Sequence, residues 1–173
     1  MIKSYSKSEM VTLLKENNQT QPKAKYSNNV LLSMLEKMPN DFNAVIEDTR
    51  NGFSLNRGSV CESIVKAFIT ETTSVKKSTC FESDLDTSKV KASRLDKYGL
   101  PKSTNIEIKF STSFAPATAK TSKARTCLLV GESGIYLINA KDLVATAKGK
   151  ININNQRANV CKRLNELSKA LGL

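Results

Sequence analysis

Residues 105–110, Asn-Ile-Glu-Ile-Lys-Phe, decide the fold that we predict for this chain. Apolar and polar side chains alternate along this stretch, which is the pattern of a half-buried β-strand. The three apolar side chains would then face a core, whereas Glu107 and Lys109 would lie together on the other face. A carboxylate beside an ammonium can hold a divalent metal ion and a phosphate, although an exposed strand with an ordinary charge pair has the same pattern.

The regions on either side of this strand predict an α/β protein. Residues 1–50 would form an N-terminal helical arm that packs on a main domain formed by residues 51–173. The first helix of the main domain is apolar almost all round, so it should be largely buried. In chain order, the predicted elements are helices at about 6–17, 28–37, 41–47 and 59–69, a strand at 79–86, the strand at 105–110, a hairpin of strands at 126–130 and 135–138, and helices at 141–148 and 155–171.

Composition excludes several kinds of chemistry. The chain has 173 residues and contains no histidine. Mechanisms that use imidazole as a base or a metal ligand are therefore excluded, including the serine and cysteine triads. Hydrolysis would have to rest on carboxylates, lysine and a hard, oxygen-binding cation such as Mg²⁺.

The cysteines and the apolar segments indicate an intracellular protein without a membrane partner. No apolar run approaches the roughly 18 residues that a membrane span needs, and no apolar signal-peptide core follows Met1. The four cysteines lie far apart and form no Cys-x-x-Cys motif, so we expect free buried thiols: Cys61, Cys80, Cys127 and Cys161.

Positive charge is concentrated in the last third of the chain. The net charge is +11, and residues 112–173 hold 10 Lys and Arg against 3 Asp and Glu. Such a distribution is typical of a protein that binds a polyanion such as nucleic acid, although general solubility has the same signature. We expect the phosphate contacts to come from a hydroxyl-rich loop and from the outer face of the last helix: Lys120, Lys123, Arg125, Arg157, Lys162 and Arg163.

Two further groups of acidic residues precede the strand at 105–110. Glu62 lies in the apolar helix, four residues before Lys66, which is the spacing of a surface salt bridge or of a carboxylate that points into a site. Glu82, Asp84 and Asp86 would share one strand face, where they repel each other unless a cation lies among them. Solvated loop carboxylates are the alternative interpretation of these acids.

Taken together, these motifs resemble those of the PD-(D/E)XK nuclease superfamily, the restriction-endonuclease-like proteins. The shared features are a helix beginning Gly58-x-x-x-Glu62, an aspartate about twenty residues before the strand, and Glu107-x-Lys109 on the strand. The resemblance covers about residues 57–140 and is closest to the small members from phages and mobile elements. It implies a mixed central β-sheet flanked by helices.

The resemblance also implies a catalytic site. One aspartate, Glu107 and the Ile108 carbonyl would hold Mg²⁺, for which Mn²⁺ would substitute, and Glu62 would complete the site or order its waters. Lys109 would position the attacking water or stabilise charge on the phosphorus. Hydrolysis would leave a 5′-phosphate and a 3′-hydroxyl.

The metal-binding aspartate can be either of two residues. Ser83 stands where the family has a proline, so the motif itself does not choose between Asp84 and Asp86. Asp84 lies closer to the apolar Phe81 and should be held more rigidly near Glu107, so we favour it as the catalytic and metal-binding aspartate. Asp86 would then be a second or water-mediated partner of the metal.

The expected function is that of a Mg²⁺-dependent DNA endonuclease in the cytoplasm of a bacterial or phage-infected cell. A resolvase of Holliday junctions or branched DNA and a non-catalytic nucleic-acid-binding protein with a degenerate nuclease fold are the alternatives. DNA is the expected partner, and the sequence leaves a homodimer open.

Overall fold

The protein is a mixed α/β structure with two β-sheets. The computed structural model describes residues 2–20, 24–47, 56–72, 74–75, 84–110 and 126–173. Its strands are β1 (Ile2–Ser6), β2 (Asn43–Glu47), β3 (Ser74–Val75), β4 (Leu85–Asp86), β5 (Asn105–Phe110), β6 (Thr126–Gly131), β7 (Gly134–Asn139) and β8 (Lys162–Arg163). Its α-helices are α1 (Lys7–Thr20), α2 (Lys25–Glu36), α3 (Arg57–Thr70), α4 (Ala92–Tyr98) and α5 (Asn165–Ala170).

The larger sheet has five strands in the order β4-β5-β6-β7-β8 and is flanked by helices. Strands β5 and β6 run parallel, and the other neighbours are antiparallel. The predicted strand at 105–110 is confirmed, and so is the hairpin, in which Gly131 pairs with Gly134 across the turn. The helix predicted at 59–69 is also confirmed, as α3.

Apolar clusters cover both faces of this sheet. Alternate residues of β6 belong to different clusters, because successive side chains of a strand point to opposite faces. The larger cluster joins the apolar face of β5 to α3 and continues into α1, α2 and α5. The smaller one, on the face of Glu107 and Lys109, contains Cys127, Leu129, Ile138, Leu143 and Ile151.

The N-terminal region contains strands as well as helices. The helices predicted at 6–17 and 28–37 correspond to α1 and α2, but the helix predicted at 41–47 is wrong. Residues 43–47 form β2 instead, which pairs antiparallel with β1 and parallel with β3. A segment this short has little helical stability of its own, and pairing with two neighbouring strands satisfies the backbone groups of residues 43–47. The predicted boundary near residue 50 lies outside the described residues.

The helix predicted at 155–171 is wrong over most of its length. Val160 packs against the smaller cluster, whereas Leu164, Leu167 and Leu171 belong to the larger one, on the opposite face of the sheet. One straight helix cannot place its apolar side chains on both faces of the sheet. The chain instead passes along the edge of the sheet in an extended form, as β8, which pairs with β7. Only α5 remains helical.

The helix predicted at 141–148 is also wrong. A short 3-10 turn at Ala140–Asp142 is followed by extended chain, in which Ala145 bridges to Ile151. The side-chain amide of Gln156 accepts a hydrogen bond from the Val144 N–H (2.9 Å) and donates one to the Val144 carbonyl (2.8 Å). This amide takes the place of a neighbouring strand and holds the chain extended.

The membrane and thiol predictions can be compared with the described part of the chain. No helix there is long and apolar enough to cross a membrane. Cys61, Cys127 and Cys161 are free, the first two are buried and Cys161 is half-buried. Cys80 lies outside the described residues, as does most of the strand predicted at 79–86.

Candidate active site at the edge of the five-stranded sheet

The candidate site lies where β4 meets β5. Leu85 pairs with Ile106 and Asp86 pairs with Asn105. Asp84, immediately before β4, donates its backbone N–H to the Ile106 carbonyl (3.1 Å), and its carboxylate accepts the Ile108 N–H (2.6 Å). The second contact is a charge-assisted hydrogen bond, which holds the Asp84 carboxylate against the middle of β5. The Ile108 carbonyl points to the same edge, because both polar groups of a strand residue face one neighbour.

Helix α3 brings Glu62 to this edge from the face that holds the larger cluster. The helix begins after Asn56, whose side chain accepts the Gly58 N–H (3.0 Å), and its apolar side chains pack on β5. Glu62 is half-buried and forms a side-chain hydrogen bond with Asp84. Burial, followed by the charge of Asp84, raises the pKa of Glu62 from 4.5 to about 8. At neutral pH Glu62 is therefore mostly protonated and donates to the Asp84 carboxylate.

Glu107 and Lys109 approach the edge from the opposite face. Each side chain is only 15% exposed, and the Lys109 ammonium donates a hydrogen bond to Glu107. Burial and the charge of Asp84 raise the pKa of Glu107, although Lys109 opposes the shift. Burial disfavours the charged form of Lys109, but the hydrogen bond and charge of Glu107 outweigh it and raise the pKa of the ammonium. The two residues are thus a largely buried ion pair.

Lys66 also belongs to this site, although the sequence suggested an exposed salt bridge as one interpretation. The side chain is half-buried, and burial lowers the pKa of its ammonium while Glu62 and Asp84 favour the charged form. The sequence contained one signal for this placement. A helix that is apolar almost all round has little exposed face on which a surface ion pair could lie.

Three carboxylates and two lysines therefore meet at one edge of the sheet. Their oxygen donors suit a hard cation such as Mg²⁺. Burial, followed by the charge of Asp84, raises the pKa values of Glu62 and Glu107, and a cation beside them would lower both. Among the described residues, however, no three acidic or cysteine side chains are arranged so that they could hold a metal ion together. The carboxylates are instead held in pairs, Glu62 with Asp84 and Glu107 with Lys109.

Asp86 has a different role in the structure. Its carboxylate accepts hydrogen bonds from the Ser88 N–H (3.0 Å) and the Ser88 hydroxyl (2.7 Å), so it caps the 3-10 turn at Thr87–Lys89. These two hydrogen bonds lower the pKa of Asp86. The arrangement favours Asp84 over Asp86 as the aspartate that acts with Glu62 and Glu107.

The predicted nucleic-acid contacts are only partly described. Arg157 lies in a turn, and Lys162 and Arg163 lie on β8 instead of a helix face, but all three are exposed. Arg163 also holds the hairpin turn, because its Nε donates to the Ser133 carbonyl (2.9 Å). The other three predicted contacts lie outside the described residues: Lys120, Lys123 and Arg125.

Cys127 is the neighbour of Glu107 on the adjacent strand, and the sequence gave no sign of this proximity. The thiol is buried, and burial raises its pKa to about 12. Burial likewise raises the pKa of Cys61, next to Glu62 on α3. Thiols held in the protonated form are poor nucleophiles, so the chemistry of this site rests on its carboxylates and lysines.

The chain has no match among models of protein families, curated proteins or solved structures.

Proposed function

We propose that this protein is a Mg²⁺-dependent DNA endonuclease with a restriction-endonuclease-like fold. The observation that carries the proposal is the meeting of Glu62, Asp84, Glu107 and Lys109, which come from three separate segments of the chain, at one sheet edge. These are the residue types that the PD-(D/E)XK motifs require. The five-stranded mixed sheet flanked by helices is compatible with that fold.

Each residue has a role in this proposal. Asp84, Glu107 and the Ile108 carbonyl would hold the cation, and Glu62 would release its proton when the cation binds. Bound Mg²⁺ polarises a phosphate and lowers the pKa of a water ligand. Lys109 orients the attacking water by hydrogen bonding and stabilises negative charge at the phosphate. The products would carry a 5′-phosphate and a 3′-hydroxyl.

DNA is the proposed partner, because the basic last third of the chain provides a surface for a polyanion. The resemblance to nucleases of phages and mobile elements extends the proposal to a place of action, the cytoplasm of a bacterial or phage-infected host. Neutralising Arg157, Lys162 and Arg163 together should flatten the plot of log affinity against log salt by about 2–3 units if all three contact phosphate. An unchanged slope would assign DNA binding to other residues.

The direct test is cleavage of supercoiled plasmid, linear duplex and a four-way junction, each with and without Mg²⁺. We expect nicking or linearisation only with Mg²⁺, and Glu107→Ala and Lys109→Ala should abolish cleavage while DNA affinity is largely kept. Preference for the junction would indicate a resolvase. Full activity in either variant would show that cleavage does not depend on this site.

A non-catalytic DNA-binding protein is the second candidate. The pairing of Glu62 with Asp84 and of Glu107 with Lys109 favours it, since these acids already have partners in the absence of a cation. Binding of all three DNAs without cleavage, in Mg²⁺ and in Mn²⁺, would support this candidate against the endonuclease.

A further inference from the structure

Helix α3 directs a second charged side chain toward the candidate active site. Lys66 follows Glu62 by four residues, so the two side chains lie one turn apart on the same side of the helix. The Lys66 ammonium also interacts with Asp84, which comes from a different segment of the chain. Glu62 and Lys66 are half-buried, whereas the residues between and beside them are buried: Cys61, Ser63, Ile64, Val65 and Ala67.

The formal charges at this edge indicate what the site can attract. At neutral pH Glu62 is mostly protonated, so the carboxylates of Asp84 and Glu107 balance the ammonium groups of Lys66 and Lys109. Without Lys66 the same sum is one net negative charge, which repels a phosphodiester. A divalent cation that displaces the Glu62 proton would raise the sum with Lys66 to one net positive charge.

We propose that Lys66 binds a non-bridging oxygen of a DNA phosphate at this site, beside Glu62, while Lys109 acts from the opposite face of the sheet. This inference rests on the proposed function. An ammonium group is a compact charge with three donors, which suits phosphate oxygens at several angles. Its position on a packed helix, and not on a loop, holds it near the carboxylates before DNA arrives. Lys66 is thus a substrate-binding residue that the Glu107-x-Lys109 motif does not supply.

The test measures DNA binding without metal, so that its result does not depend on cleavage. Lys66→Met and Lys66→Gln are compared with Lys15→Met, a control on the exposed face of α1, and with Lys66→Arg, which keeps the charge. Affinity for a short duplex is titrated at pH 7 over a range of salt concentrations. Both neutral variants should lose roughly tenfold or more in affinity. Their slope of log affinity against log salt should fall by about 0.9, whereas Lys15→Met and Lys66→Arg keep the wild-type slope.

The outcomes separate this inference from the endonuclease proposal. A reduced slope in both neutral variants supports the phosphate contact even if the wild-type protein cuts no DNA in Mg²⁺, which would remove the endonuclease alone. Folded variants with the wild-type slope overturn the inference, and if they have also lost cleavage, Lys66 acts by positioning Glu62. Neutral variants that do not fold would make Lys66 a structural residue and overturn it too. A wild-type protein that binds no DNA overturns both proposals.

Discussion

Replacing Glu62 with glutamine should stabilise the protein at alkaline pH. The Glu62 carboxyl has a pKa near 8 in the folded protein against 4.5 ordinarily, so between these values the folded state binds more protons than the unfolded state. Stability therefore falls as pH rises from about 4.5 to about 8 and is constant above that range. A glutamine has no such dependence, and its amide can still donate to Asp84 as the protonated carboxyl does.

The expected gain in stability can be calculated from the pKa shift of Glu62. Each pKa unit corresponds to about 1.4 kcal/mol, so the shift of Glu62 corresponds to an upper limit of about 5 kcal/mol at pH 9. Because Glu62 shares its hydrogen bond with Asp84 and relaxation of the site will reduce the cost, we expect a gain of about 2–4 kcal/mol in the free energy of unfolding at pH 9 for Glu62→Gln. At pH 4.5 the variant and the wild-type protein should differ by less than about 1 kcal/mol.

Urea denaturation followed by circular dichroism, at pH 4.5 and pH 9 with a reductant and without divalent cations, measures this difference. Glu36→Gln on the exposed face of α2 is the control, because it makes the same chemical change outside the site. If the stability of Glu62→Gln parallels that of the wild-type protein from pH 4.5 to 9, the claim that burial and Asp84 keep the Glu62 carboxyl protonated is wrong.

Other perturbations test the cation and the packing of the N-terminal helices. Asp84→Asn should lose Mg²⁺ binding by calorimetry while Asp86→Asn keeps it, and the reverse result would exchange their roles. Mg²⁺ binding to the wild-type protein at pH 7 should release close to one proton, from Glu62, which calorimetry in buffers of different ionisation enthalpy detects; no proton release would contradict the assigned pKa. Asn28→Leu should cost about 2–4 kcal/mol, because the buried amide donates to a carbonyl of α1 (3.0 Å) and accepts from an arginine of α3 (2.8 Å). The exposed Asn29→Leu should cost under 1 kcal/mol in the same urea titration.

The central strand and its neighbours were predictable because their patterns are local. Alternating apolar and polar residues predicted β5, a Gly-x-x-Gly turn predicted the hairpin, and the apolar run from residue 59 predicted α3. The C-terminal segment was not predictable in this way. A 3.6-residue apolar period from residue 155 indicated one helix, but the side chains in question serve two clusters on opposite faces of the sheet. The existence of a second cluster depends on tertiary structure, which overrides local periodicity.

The residues of the candidate site were likewise predictable only in part. Glu107 and Lys109 could be identified as a pair because they share one strand face, and Glu62 stood out as an acid in an apolar helix. The role of Lys66 could not be assigned, because its interaction with Asp84 depends on how α3 lies across the sheet edge. The cap that Asp86 forms with Ser88 is a local Asx turn, and this signal in the sequence could have separated Asp86 from Asp84.

The junction of β4 with β5 connects the fold to the proposed chemistry. The Asp84 N–H donates to the Ile106 carbonyl while its carboxylate accepts the Ile108 N–H, so this one residue is held at two points of the central strand. Glu62 reaches the same place from α3, and Glu107 and Lys109 reach it from the other face of β5. The same convergence forces Glu62 to hold a proton at neutral pH, which lowers stability as pH rises. Acids with perturbed pKa values cluster at functional sites, and the cost of holding Glu62 here is one that a bound cation would offset.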